Sequence, residues 1–473
     1  MRARLFSPEF RKWWTLVAVA FGLFMIMLDN TVVNVSLPSI RRDLGIGISE
    51  LEWVVNAYAL TFGVLLLTGG KLADLLGRRR IFVVGLVIFT ASSFFCGIAN
   101  SATTLIAART VQGVGAALMN PATLSIITAT FPPRQRGTAI GIWAGTSALA
   151  LAIGPLVGGF ITQHASWNWV FFINVPIGIL GIVAAFIFID ESRDTSHEQR
   201  LDAPGLLTSG IALFALTYAL IEANTFGWGS TRIVALLIVA AVFFGAFLLL
   251  ERHQRIPMLD LSLFKNSTFA AANGVMLLVG LAMFGVFFFI SLYVQGVLHY
   301  SPTRAGATFL PMTVLIILIA PQAGRLSDKL GPRWIITTGQ ALLAVSLLLF
   351  SRLDAHSHFW TLLPALIIGG AGMGMSMAPL TSAAMGSIPT DKAGVGSAVI
   401  NSMRQVGGSV GLALMGAIIA SQGAATAAAP FTIHGFQLGL RVSAAIAACG
   451  CVIAALWIRD VRDRSAVPVP ESA

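Results

Sequence analysis

Charge is scarce in this sequence. Only 11% of its 473 residues are Asp, Glu, Lys or Arg, while 56% are hydrophobic, and the mean hydropathy is +0.84. So few charges cannot cover the surface of a water-soluble domain. Acids are the rarer sign, 20 against 30 Lys and Arg. Cysteine is nearly absent: Cys96, Cys449 and Cys451 all fall in apolar runs, without metal-ligand or disulfide spacing. The seven histidines are scattered. His164, His299, His356, His358 and His434 fall in one set of loops, and His197 and His253 in the other, so none builds a metal cluster. No P-loop and no nucleophile elbow appears. The chain therefore reads as no enzyme, with no metal and no cofactor, and any active transport must draw on an ion gradient.

What is present is a succession of apolar runs, mostly long enough to span a bilayer. Fourteen spans are expected: 13–36, 51–70, 80–99, 103–126, 137–161, 168–189, 203–222, 232–250, 268–295, 305–325, 333–351, 358–385, 394–421 and 437–458. With the N-terminus inside, 22 of the 30 Lys and Arg fall in cytoplasmic tails and loops. Five fall outside (Arg41, Arg42, Arg232, Arg304, Arg352) and three within helices (Arg109, Arg404, Arg441). That bias places both termini in the cytoplasm and explains the basic balance without nucleic acid. The first run is too long for a cleavable signal peptide and lacks a small-residue cleavage site.

Asp29 stands inside the first run, in LDNTVVNVSLPSI, with helix 1 expected to stop at Pro38. Of the 20 acids, 18 read as loop, tail or helix-end residues; the exceptions are Asp29 and Glu222, the latter near the end of its span. A carboxylate in hydrocarbon is expensive and marks a candidate proton site. For Glu222 a solvated helix end is an equal reading. Arg109 and Gln112 share a helix face three residues apart. Their depth, about 9 Å in, against about 13 Å for Asp29, lets them meet in one cavity. The alternative is an arginine snorkelling to the headgroups.

Two segments repeat. GKLADLLGRR at 70–79 and GRLSDKLGPR at 324–333 share Gly, a basic residue, Leu, Asp and Gly at equal spacing. The repeat implies two homologous six-helix halves with two helices between them. Gly70 and Gly77 permit a tight reversal, and Asp74 can pair with Arg78 or Arg79 as a conformational latch; a plain positive-inside turn accounts only for the arginines. Gly324, Asp328, Lys329 and Gly331 occupy the equivalent place. In helix 5, Gly154, Pro155, Gly158 and Gly159 let another helix approach.

With these motifs the chain resembles the major facilitator superfamily, and within it the fourteen-helix drug:proton antiporters. LDNTVVNVSLP is similar to that group's helix 1 motif and GKLADLLGRRR to the superfamily's loop motif. Arg109, Gln112 and Gly113 match the helix 4 motif linked to proton transfer, and the helix 5 glycines match the antiporter motif. Pro332 in place of Arg78 is a mild departure. The resemblance covers essentially the whole chain. It implies an all-α polytopic membrane fold of two six-helix bundles plus two inserted helices. The segments are 1–12 (tail), 13–190 (first bundle), 191–202 (linker), 203–250 (two additional helices), 251–267 (linker), 268–458 (second bundle) and 459–473 (tail).

The resemblance does not settle the substrate; the expected activity is export of a lipophilic, cationic compound in exchange for protons, by a monomer whose partners are substrate, protons and membrane lipids, with no nucleic acid. Asp29, Arg109 and Glu222 are the candidate proton-coupling residues. Asn30, Asn34, Asn56, Gln112, Asn120, Asn401, Arg404 and Gln405 are candidate polar contacts to substrate. Phe24, Trp143, Phe284, Phe288 and Tyr293 are candidate aromatic walls, with core or lipid packing as the alternative for each. Export of a metabolite, siderophore or lipid, a flippase-like carrier using Glu222, and a non-transporting receptor remain open. If the 70–79 turn is a latch, Asp74→Asn impairs cycling more than substrate binding; equal loss in a binding assay counts against it.

Overall fold

The computed structural model describes residues 8–193, 202–254, 257, 259–388, 393–423 and 432–459. Every regular element among them is helical. The first part contains α1 (Pro8–Leu44), α2 (Ile48–Leu76), α3 (Arg78–Gly97), α4 (Ala102–Thr130), α5 (Pro133–His164), the short α6 (Trp169–Phe172) and α7 (Asn174–Phe188). A pair follows, α8 (Ala203–Phe226) and α9 (Thr231–His253). The last part contains α10 (Ser267–Gly296), the short α11 (Pro302–Thr308), α12 (Leu310–Leu330), α13 (Pro332–Phe350), α14 (Phe359–Gly386), α15 (Ala393–Ser421) and α16 (Ile433–Trp457).

Twelve helical stretches among the described residues are long and apolar enough to cross a membrane. Large apolar side chains such as Leu180, Phe186, Leu207, Val242, Leu249 and Trp360 lie exposed on the outside, as a lipid-facing surface requires. The protein is a multi-pass membrane protein. α4 and α5 span 29 and 32 residues but fall outside those twelve. In α4 the apolar run is diluted by Arg109, Gln112 and Asn120, all buried.

The contacts sort the helices into two groups, α1–α7 and α10–α16, with α8 leaning on α15 and α2 and α9 packed on α8. α1 meets α10, α2 meets α15, and α5 meets α11–α12 across the boundary. Several of these contacts gather toward the end away from the chain termini. Thr303 Oγ1 of α11 donates to the Gly159 carbonyl at 3.2 Å, and Ser409 Oγ donates to Asn56 Oδ1 at 3.0 Å. Deeper in the seam, Ser402 Oγ donates to the Gly63 carbonyl at 3.3 Å.

Pro38 does not stop α1, which runs on to Leu44. Proline removes one N–H and strips the carbonyl four residues earlier of its helical partner. That carbonyl belongs to Asn34, and Ser291 Oγ of α10 donates to it at 2.7 Å. Gln295 Nε2 donates to the next carbonyl, Val35, at 2.8 Å. The other half thus repairs the helix that proline interrupts. Because α1 is longer and the α1–α2 turn shorter than expected, Arg41, Arg42 and Asp43 are helical. Glu52, expected in an outer loop, lies inside α2 and is 3% exposed.

Gly77 has φ +114° and Gly331 φ +95°, a conformation side chains resist, so the repeated turns match in backbone as well as sequence. On α5 the glycines act as contacts: a Cβ at Gly158 would collide with the Val32 backbone of α1, and one at Gly159 with the Pro302 backbone of α11. Gly159→Leu should destabilise the protein by about 1–3 kcal/mol, the usual range for overpacking. Gly145→Leu, on the same helix with open space around it, should leave the thermal unfolding temperature in detergent nearly unchanged.

Candidate functional site

Asp29 ends up fully buried, and it is not alone. Arg109 Nη1 donates to its Oδ2 at 2.5 Å. Gln112 Nε2 donates to Oδ1 at 3.1 Å and Asn174 Nδ2 to the same oxygen at 3.4 Å. Five helices contribute to the cluster. α1 brings Asp29, and α4 brings Arg109 and Gln112 from one face. α7 brings Asn174, and α3 brings Ser93, whose hydroxyl accepts from Gln112 at 3.3 Å and Asn174 at 3.1 Å. α2 supplies the Val54 carbonyl, which accepts from Arg109 Nε at 3.1 Å, and the Tyr58 ring, 4.2 Å under the guanidinium. Arg109 is 1% exposed; it is held inside the protein and does not snorkel.

Arg109 Nη1 also donates to Gln112 Oε1 at 2.8 Å. The guanidinium therefore has two acceptors, Gln112 and Val54, that do not depend on Asp29. If the carboxylate takes a proton, Arg109 keeps partners while the ion pair dissolves. The pair is dry, and a dry pair is strong only while both members are present.

The polar candidates divide. Gln112 belongs to the Asp29 cluster. Asn30 and Asn34 are half-buried on α1, their amides donating to the carbonyls four residues earlier. Asn56 and Gln405 lie buried in the α2–α15 seam, each with an amide nitrogen that finds no acceptor. Asn401 and Arg404 stand together on α15, with Arg404 Nη2 donating to Asn401 Oδ1 at 3.4 Å. Asn120 is buried on α4, and Trp143 Nε1 of α5 donates to Thr123 Oγ1 at 3.0 Å.

Of the aromatics, Phe24 and Phe284 are half-buried, and the Phe284 ring lies against Gly408. Phe288 is buried against Phe289, with ring centroids 4.9 Å apart. Tyr293 stacks on Phe436 at 5.0 Å and donates to the Asp354 carbonyl, so it packs the second half together.

Glu222 is not brought to Asp29. It sits half-buried on α8, beside Glu52. Glu52 lies where a Cβ on Gly416 of α15 would stand, and two residues beyond Glu222, Asn224 Nδ2 donates to the Ala417 carbonyl at 2.7 Å.

At the loop motif, Arg78 Nε donates to Asp74 Oδ1 at 3.0 Å. The unexpected partner is Glu191, after α7. Its carboxylate accepts from the backbone N–H groups of Arg79 at 3.1 Å and Arg80 at 3.2 Å, which places negative charge at the N-terminus of α3. Gly70 lies against Pro121 and Gly154 against Thr31 of α1, while Pro155 meets Gly306 of α11. Gly324 is half-buried and Lys329 exposed. The side chain of Asp328 lies outside the described residues.

Sequence reasoning missed Asn174, Ser93, Glu191 and Glu52. Asn174 had a signal: it is the polar residue inside the apolar stretch VFFINVPIG. Ser93 and Glu191 had none, since each acts through a distant helix.

A family model described as the Major Facilitator Superfamily matches residues 19–412 and, separately, 274–473. The chain is 35% identical over 412 residues to the tetracenomycin C resistance and export protein of Streptomyces glaucescens, covering 87% of this chain and 77% of that one. It is 36% identical over 469 residues to the puromycin resistance protein of Streptomyces alboniger, covering 96% and 92%. A solved structure of a bacterial homolog of the human lysosomal transporter Spinster, in an inward-facing and unoccupied conformation, superposes with a TM-score of 0.64 at 18% identity, covering 95% and 96%.

Losing Arg109 leaves a buried carboxylate without its counter-charge, a change worth about 3–5 kcal/mol. Arg109→Gln should therefore lower the thermal stability of the purified protein more than Asp29→Asn, which leaves Arg109 its other acceptors. The double variant should lose less than the sum of the two; additive losses would show the pair to be uncoupled.

Proposed function

We propose that this chain, which belongs to the Major Facilitator Superfamily, exports lipophilic compounds across the cytoplasmic membrane in exchange for inward-moving protons. It is a transporter and not an enzyme. The relatives named for antibiotic resistance and export support drug or toxic-compound efflux. The observation that carries the coupling is the buried Asp29–Arg109 pair with its independent acceptors for the arginine.

Asp29 is the proton carrier in this reading. When ionised, it ties α1 to α4 through Arg109 and to α7 through Asn174. When protonated, it releases Arg109 to Gln112 and Val54, and α1 is freed from α4. α1 is also the helix that meets the second half through Asn34 and Val35. A change at Asp29 is thereby transmitted to the seam that opens and closes. Alternating access needs such a two-state element, biased differently by proton and by substrate. Both termini are cytoplasmic in this reading, on the positive-inside bias. The seam's closure away from the termini then corresponds to an inward-facing state. The Asp74–Arg78 pair and the Glu191 cap hold the α2–α3 turn as a cytoplasmic latch. One chain supplies both walls of the cavity, so a monomer suffices. Glu222 lies on α8 outside the Asp29 cluster, which favours a lesser role for it in this proton step.

A cationic cargo would need Asp29 freed from Arg109 to serve as its counter-charge. Export of a single metabolite, siderophore or lipid uses the same machinery and differs only in cargo.

The test is transport in proteoliposomes with an imposed pH gradient, using fluorescent lipophilic compounds of either charge. Wild type should move at least one compound against its gradient, and Asp29→Asn should fall to the level of empty liposomes. Uphill transport that persists in Asp29→Asn would remove Asp29 from the coupling.

A further inference from the structure

Arg404 stands about halfway along α15, half-buried and within electrostatic reach of Tyr58 of α2. No ion pair among the described residues involves it. Its Nε finds no acceptor, and its Nη2 reaches only the neutral carboxamide of Asn401, at 3.4 Å. The neighbouring Gln405 is 1% exposed, with Nε2 unsatisfied. Tyr58 is 1% exposed and lies close enough to Arg404 to act on it electrostatically, with the Asn30 side chain at its hydroxyl. One turn of α15 beyond Arg404, the Phe284 ring lies against Gly408 and supplies an apolar wall.

An uncompensated guanidinium inside a membrane protein is costly unless water or a ligand serves it. Here two donors on adjacent residues of α15, Arg404 Nε and Gln405 Nε2, are left without acceptors. The carboxylate that would suit a cation, Asp29, already has Arg109, Gln112 and Asn174 on its two oxygens. A guanidinium fork recognises paired oxygens and repels cations.

We propose that Arg404, with Gln405 and Tyr58, forms the polar subsite of the substrate cavity and selects a lipophilic organic anion, a carboxylate or phenolate. The inference rests on the export reading above and names its cargo class. Tyr58 gives it a link to the proton site, because its ring also lies under Arg109. The anion's oxygens take the Arg404 Nε–H and its neighbouring donors, while the apolar body lies along Phe284. A lipophilic cation meets Arg404 without a free carboxylate to offset it.

The test is equilibrium binding to the full chain in lipid nanodiscs, with empty nanodiscs as the blank and no pH gradient. The probes are a matched pair: dansyl-aminohexanoate, a carboxylate, and dansyl-aminohexyl-trimethylammonium, a cation. Wild type should bind the carboxylate more tightly. Arg404→Gln should weaken carboxylate binding about tenfold or more, the loss expected for charge-assisted hydrogen bonds, and leave ammonium binding unchanged or improved. Arg404→Lys should restore only part. If Arg404→Gln does not fold, as judged by its elution profile, Asn401→Asp takes its place. It sets a carboxylate beside an intact Arg404, and it should also weaken the anion. Tighter binding of the ammonium by wild type, an equal loss of both probes in Arg404→Gln, or no carboxylate binding at all would overturn the proposal. Binding without a gradient is independent of antiport, so loss of coupling in proteoliposomes leaves this result standing, and the converse holds.

Discussion

A charged pair in a dry interior is what the first half of this protein is built around. Asp29 and Arg109 could each be tolerated in hydrocarbon only with the other present, and every helix near them contributes to that condition. α4 offers Gln112 one turn from Arg109, α7 offers Asn174, α3 offers Ser93, and α2 offers a backbone carbonyl and the face of Tyr58. The packing of α1–α7 follows from keeping these groups satisfied at once. The arginine is held by more than the aspartate, so the arrangement is asymmetric: one partner can be neutralised without stranding the other.

The boundary between the halves is of another kind. It is made of close backbone approaches and single hydrogen bonds, one of them to a carbonyl that a helix has left unpaired. Pro38 and Ser291 are the clearest case. Such contacts are individually worth little, so the boundary can be exchanged for water and for another set of contacts at small cost. A stiff ionic core thus stands beside a weakly bonded seam.

Much of this was legible in the sequence. The expected spans fall on helical segments, twelve of them among the described residues long and apolar enough to cross a membrane, because long apolar runs and proline or glycine breaks report helix position directly. Their ends were set too short, as α1 shows, because polar residues such as Arg41 and Arg42 remain helical beyond the apolar run. The meeting of Asp29 with Arg109 was legible from depth alone. Glu52 was not, because a carboxylate near a helix start looks like surface until α15 and α8 cover it. The separation of Glu222 from the Asp29 cluster was equally hidden, since it depends on where the inserted pair docks. Arg404 was visible as a polar residue within an apolar helix, but that it lacks a counter-charge is a property of its neighbours in space.

The Glu191 cap ties the timing of assembly to the order of synthesis. The α2–α3 turn emerges early, with Gly77 in its left-handed conformation, three arginines in succession and unpaired backbone N–H groups at the start of α3. The carboxylate that accepts from those groups is 112 and 111 residues away from Arg79 and Arg80. Until α7 has been inserted and its end delivered to the same face, Asp74 pairs Arg78 but no carboxylate caps the N–H groups of Arg79 and Arg80. The first half is therefore a unit in time as well as in space. Its α2–α3 turn is finished by a residue beyond α7, and the ribosome must reach Glu191 before that turn can close.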